Sequence, residues 1–424
     1  MRGERLLSLA LFTIAVFSLA NGALTSNGQP YNSVALAVNL AWTEPLNISN
    51  TGDDSRTPAM AVDGSGVVHV VWEEGDRIYH SYGSGQNWSP PSRVATGERP
   101  AIAIDGQNRP HVVFANEIGG NFEIYYVRWE GSAWSLPRNV SSTSGVSSNP
   151  DIAIADDGTI HVVWADNTPG YSVIYHAKST NGTLWSNFPI PSANGGVPAI
   201  AIGDDGIVHV SWQNLDEEFN CYDIYHSQWD GSAWSLPENI SDSLNDSTIA
   251  DMAVAGDNTV HLVWEERVGG NYEVYYSGGW SFNWSVQENV SNSAADSYLP
   301  SIAIDGDGTR HVAWEETASP HCISYRKWQV ATSSWLESEA IATDPVAVSD
   351  PVLFADSAET LHIVWVEYIA PGNWDIFYST QGDQAPPTPS NTPTATPTET
   401  VTPTSTPRVT QNRIYLPIVI KGYP

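Results

Sequence analysis

Apolar residues in this chain come in short alternating runs, and the runs recur. The clearest copy spans Pro300 to Glu316, PSIAIDGDGTRHVAWEE: an apolar run, an Asp/Gly turn, and a second apolar run closed by Trp-Glu-Glu. Its histidine returns at positions 69, 111, 161, 209, 261, 311 and 362, with spacings from 42 (His69 to His111) to 52 (His209 to His261). Inside a run the period is two: His69 and Val71 share one face, Val70 and Trp72 the other, the pattern of a strand buried on both sides. Each unit predicts four strands, PxIAI, xVHVVW, xIYY and WSxPxNVS, punctuated by Gly, Asp, Asn and Ser turns.

Four short strands in a repeat of this length predict a propeller blade, and seven histidine-bearing hairpins predict seven blades. The order is offset by one element. NLAWTEPLNIS, residues 39 to 49, matches the later fourth strands AWSLPRNVS, AWSLPENIS and NWSVQENVS, whereas the last hairpin, ending near Tyr378, has none after it. The chain therefore reads as an all-β seven-bladed propeller over residues 37–383, closed by an N-terminal fourth strand in a 1+3 arrangement that leaves no free edge. The innermost strand repeats a small residue (Ala61, Ala103, Ala153, Ala201, Ala253, Ala303, with Phe354 the exception), as strands converging on an axis require. All 18 Trp lie between 42 and 374, which makes most of them core.

The ends differ from the ring. Residues 1–23 carry a basic start (Arg2, Arg5), an apolar run from Leu6 to Ala20 and small residues suited to cleavage, a secretory leader rather than a membrane span. Residues 24–36 form an N-terminal extension. Residues 384–407 are nearly all Pro, Thr and Ser, a stiff extended linker with no core of its own. Residues 408–424 hold an apolar β-prone tail too short to cross a bilayer, read either as a sorting or docking signal or as a loose end.

Charge narrows the partners. The formal net charge is -31, and removing Arg2, Arg5 and Glu4 with the leader (net +1) makes it -32. Such a field repels phosphate backbones and anionic lipid, leaving glycans, extracellular proteins or cations as partners of a monomer, secreted or held at the cell surface. Cys221 and Cys322 sit two repeats apart, too distant to bond.

Seven histidines at one structural position invite a metal reading, but separate blades keep them apart. The Asp/Gly turns lack a full calcium-loop spacing and are explained as hairpin turns. Two residues after each second-strand aromatic stand Glu74, Asn116, Asp166, Asn214, Glu266, Glu316 and Glu367, always an acid or an amide. Further acids gather nearby: Asp76, Glu123, Asp216, Glu217, Glu218, Asp223, Glu265, Glu273, Glu315 and Asp375. These predict an acidic rim on the binding face, where Ca²⁺ is a candidate ligand and a plain solvated rim the alternative.

Residues 55–89, SRTPAMAVDGSGVVHVVWEEGDRIYHSYGSGQNWS, resemble the opening blade of the sialidase superfamily: an Arg-x-Pro entry, an innermost strand, a Gly turn, and an Asp-box-like (BNR) SxxxGxxW with Gly83 and Asn87 where that box has Asp and Thr. The resemblance implies that Arg56 holds a substrate carboxylate and Asp76 acts as acid; the family's Tyr nucleophile with its Glu partner and two further Arg have no clear match, although Arg77, Arg99 and Arg267 are available. The WEGSAW and WDGSAW hairpins (Trp129 to Trp134, Trp229 to Trp234) more weakly resemble repeats of seven-bladed bacterial lectins, which implies sugar binding through stacked aromatics. Resemblance to WD-repeat propellers implies that the repeated His bonds an Asp or Ser to tie turn to strand. Three readings follow: a propeller that recognises glycan or protein through its acidic rim, a sialidase-like glycoside hydrolase or polysaccharide lyase, or a structural surface scaffold. Convergence of Arg56, Arg77, Arg99 and Arg267 on one pocket with a Tyr and a carboxylate would favour the second.

Overall fold

The computed structural model describes residues 41–382, except 217, 218, 281, 282, 345, 371 and 372. The leader, the N-terminal extension, the linker and the tail lie outside the described residues, as do Glu217 and Glu218. Every regular element that is described is a strand. No described helix is long and apolar enough to cross a membrane.

The strands form seven antiparallel sheets. Their inner strands, Ser55–Val62, Glu98–Ile104, Ser147–Ile154, Gly196–Ile202, Ser247–Val254, Ser297–Ile304 and Val348–Ala355, number the blades one to seven. Blade seven continues outward through Leu361–Ala370 and Asn373–Gln381, and its outermost strand is Leu46–Asn47, with Leu46 opposite Tyr378 and Asn47 opposite Phe377. First and last described strands therefore share one sheet.

The core is a set of layers between blades. Val263, Val274 and Tyr276 of blade five, for example, cluster with Ile302, Val312 and Trp314 of blade six. The second-strand aromatics Trp72, Phe114, Trp164, Trp212, Trp264, Trp314 and Trp365 are fully buried, as the two-sided pattern predicts. The repeated His faces the repeated small residue across the first hairpin in every blade, from Ala61 opposite His69 to Phe354 opposite His362.

The histidines are structural. His111, His311 and His362 place Nε2 at 3.0, 3.0 and 3.3 Å from Oδ2 of Asp105, Asp305 and Asp356 in their own turns. Nδ1 meets a Tyr hydroxyl in blades two, five, six and seven (Tyr126, Tyr276, Tyr325, Tyr378) and a second imidazole in blades one, three and four (His80, His176, His226). The Asp or Ser bond implied by the resemblance is missing from blades three, four and five, where Ala155, Gly203 and Ala255 occupy the turn position, and in blade one Asp63 Oδ2 stands 3.7 Å from His69 Nε2, beyond hydrogen-bond reach. Burial pushes His111, His161, His209 and His261 down to about 4 and His176 and His226 to about 3, so these imidazoles are neutral near pH 7.

Candidate binding site at the channel mouth

Every inner strand is broken by a bulge at its start, and one residue there adopts positive φ: Thr57 (47°), Arg99 (52°), Asn149 (50°), Val197 (51°), Ile249 (47°), Leu299 (49°) and Asp350 (50°). None is glycine, and three are β-branched, for which this region is a genuine outlier. Such residues cost roughly 1–3 kcal/mol each and persist only where the surroundings enforce them. Six are followed by proline, which fixes the strand immediately after the bulge.

Because inner strands face the axis, these seven positions ring one mouth of the central channel. Read round the ring, Asp350, Thr57, Arg99 and Asn149 form a continuous polar arc, and Val197, Ile249 and Leu299 a continuous apolar one. Arg99 donates through Nη1 to Oδ1 of Asn149, joining two equivalent positions across a blade boundary. All seven are at least partly exposed.

Above this ring the third strands begin with Phe122, Tyr222, Tyr272, His321 and Trp374, all partly exposed. They lean on the next blade: Tyr272 lies 5.1 Å from Tyr298 between ring centres, and Trp374 carries the Arg56 guanidinium 4.7 Å from its centre. The mouth thus has an aromatic collar.

Side-chain oxygens of the second strands brace the ring. Glu73 Oε2 accepts from the Arg99 amide at 2.8 Å, Glu265 Oε1 from the Leu299 amide at 2.8 Å, and Gln213 Oε1 from the Ile249 amide at 3.0 Å. Burial raises Glu265 to about 7 and Glu315 to about 6, although bonds from Leu299 N–H and Thr248, and from Ser349, act the other way. The protonated form of Glu265 is therefore the favoured folded form. Its contribution is complete below the unfolded value near 4.5 and is lost as pH rises through about 7. Glu265→Gln, which imitates the protonated group, should match the parent at pH 4 and exceed it by roughly 3 kcal/mol at pH 8 in urea unfolding; equal stability at both pH values would refute the assignment.

The seven residues expected to form the rim divide by burial. Glu74, Asp166, Glu266 and Glu316 are buried, while Asn116, Asn214 and Glu367 are partly exposed. The indoles of Trp164, Trp264, Trp314 and Trp365 donate to the carboxylate two residues on, Asp166, Glu266, Glu316 and Glu367, at 3.3, 3.0, 3.0 and 3.0 Å. Hydroxyls from the segment entering the same blade complete the set: Thr143 and Ser147 on Asp166, Ser243 and Ser247 on Glu266, Ser293 and Ser297 on Glu316. A second row, Glu123, Asp223, Glu273 and Asp375, is buried too and holds Ser141, Ser241, Ser291 and Ser49 of the fourth strands. Much of the acidic rim is thus an internal clasp.

The arginines do not gather. Asp76 and Arg77, 3.6 Å apart and exposed, line a cleft of about 440 Å³ with Asp53, Asp54 and Glu74, and no Tyr lines it. Arg56 pairs with Asp54 at 3.4 Å under Trp374, Arg99 joins Asn149, and Arg267 lies over Tyr272 in blade five. The Asp-box-like segment falls on the hairpin between the third and outer strands, with Gly83 opposite Trp88. Both cysteines are free thiols. Among the described residues, no three His, Cys, Asp or Glu side chains are grouped to hold a metal ion.

No protein-family model matches the chain, and no curated protein does. Solved structures do. An ulvan lyase, representing a new family of polysaccharide lyase, is similar at 10% identity and a TM-score of 0.60, covering 78% of this chain and 95% of its own. Virginiamycin B lyase from Staphylococcus aureus is similar at 11% identity and 0.53, covering 80% and 99%. The NanB sialidase from Streptococcus pneumoniae is similar at 11% identity and 0.45, covering 80% and 70%. The likeness is one of fold. At such identities it leaves chemistry to be argued from the site.

Proposed function

We propose that this is a carbohydrate-recognition propeller, secreted or held at the cell surface, that binds its glycan at the channel mouth without turning it over. The observation that carries this reading is the two-arc ring beneath the aromatic collar. A sugar offers hydroxyls at its edge and C–H groups on its faces, and the mouth offers Asp350, Thr57, Arg99 and Asn149 opposite Val197, Ile249 and Leu299, with Tyr272, Tyr298 and Trp374 to stack. The dispersed arginines weigh against sialidase chemistry, which needs them on one carboxylate beside a Tyr nucleophile.

A glycan array followed by calorimetry tests it. The full chain should bind at least one glycan, and Tyr272→Ala should weaken binding by about tenfold, the loss of roughly 1.4 kcal/mol of stacking. Silence across the array would overturn the glycan reading. The same titration with Ca²⁺ and with chelator tests the calcium proposal: unequal affinities would support an ion at the mouth. A second reading, lyase or hydrolase action on an anionic polysaccharide, draws on the resemblance at Arg56 and on the raised carboxyls of Glu265 and Glu315. It requires turnover that Arg56→Ala abolishes.

A further inference from the structure

We propose that the cleft between blades three and four, on the face opposite the mouth, is a second binding site that takes one neutral saccharide unit. It encloses about 440 Å³ between the first turns of the two blades, within the range of small-ligand sites. It exists because two fillers present elsewhere are missing.

The first is the turn aspartate. In blades two, six and seven an Asp caps Nε2 of the repeated His, but here Ala155 and Gly203 hold that position. His161 lines the cleft, only 6% exposed; its Nδ1 lies 2.9 Å from Nε2 of His176, and its Nε2 makes no hydrogen bond among the described residues. The second is a bridging amide. Asn108 and Asn258, the fourth turn residues of blades two and five, accept through Oδ1 from a backbone N–H of the preceding blade's turn, Gly64 at 3.0 Å and Asp205 at 3.2 Å. Blade four has Gly206 there, at φ +77°, with open space around an added Cβ. Among the described residues no side chain at this turn position reaches toward blade three.

What remains suits a polyhydroxylated neutral ligand. Asp157 and Asp205 cap their own turns through the amides of Thr159 and Ile207, whereas Asp156 and Asp204 make no hydrogen bond among the described residues and are available as acceptors. Lys178 is a donor, its ammonium 5.2 Å from the centre of the Trp229 ring, and Trp229 supplies an apolar wall. Four carboxylates repel an anion, and Lys178 opposes a cation at the aromatic face. Hydroxyls satisfy Asp156, Asp204, Lys178 and His161 together, while C–H groups pack on Trp229. The site stands independently of the mouth.

The test is a titration of the full chain with methyl glycosides of glucose, galactose, mannose and N-acetylglucosamine, followed through the indole N–H resonance of Trp229. At least one should shift that resonance saturably. Gly206→Asn, which puts an αL-tolerant residue where Asn108 and Asn258 stand, should keep the thermal midpoint and weaken binding about tenfold or more, as should Lys178→Met. Tyr272→Ala at the mouth should leave the Trp229 response unchanged. No shift with any of the four sugars, or a shift that survives in both cleft variants, would overturn the proposal.

Discussion

Trp264→Ala is expected to destabilise the ring by roughly 3–5 kcal/mol, read as a fall in the guanidinium midpoint at constant slope. The side chain is fully buried, so its removal leaves a void between blades. It also strips one donor from Glu266, whose Oε2 takes the indole at 3.0 Å and Ser247 at 2.6 Å. Blade two supplies an internal control, because its equivalent is Phe114 with Asn116 two residues on. Trp264→Phe with Glu266→Asn should therefore recover much of the loss. If Trp264→Phe alone cost as much as alanine, the indole–carboxylate bond and not volume would be the dominant contribution.

Asp375→Ala carries the second large expected effect, roughly 3–4 kcal/mol. Asp375 is wholly buried and accepts from Asn47 Nδ2 at 2.7 Å and Ser49 Oγ at 3.0 Å, with the Thr51 amide at 3.4 Å. Its loss would strand three donors, one on the outermost strand of blade seven and two on the segment that follows it, each costing about 1–3 kcal/mol when left unmade, less what water recovers. Hydrogen exchange should locate the damage: the amides of Leu46 to Ser49 should lose protection while those of blade four keep theirs. Uniform loss throughout the ring would contradict a local clasp.

The repeat made the architecture legible from the sequence, since a period-two pattern returning seven times admits few alternatives and the offset of NLAWTEPLNIS identified the orphan fourth strand. The rim was harder. A carboxylate at a strand end reads alike whether it meets water or a neighbour's hydroxyl, and Glu266 and Glu316 meet hydroxyls. A signal was present: Trp and Glu two apart share a strand face, and Ser243 with Ser247, or Ser293 with Ser297, recur at matching distances. The ring of positive φ left almost no trace, because Thr57, Val197 and Ile249 are residues that propensity assigns to ordinary strand. Only the recurring proline after six of the seven positions marks it. The cleft between blades three and four is legible only as omissions, Ala155, Gly203 and Gly206, which acquire meaning once the other turns are superimposed on them.

The meeting of both described ends in blade seven has a mechanical consequence. A pull between the two ends would fall first on this one edge pairing, held at Thr43 by bonds to Ser379 and Thr380, at Leu46 and Asn47 by the strand register, and beneath them by the carboxylate of Asp375. Single-molecule stretching should show this patch yielding at low force as a peeling seam, and the remaining six sheets resisting until it has gone.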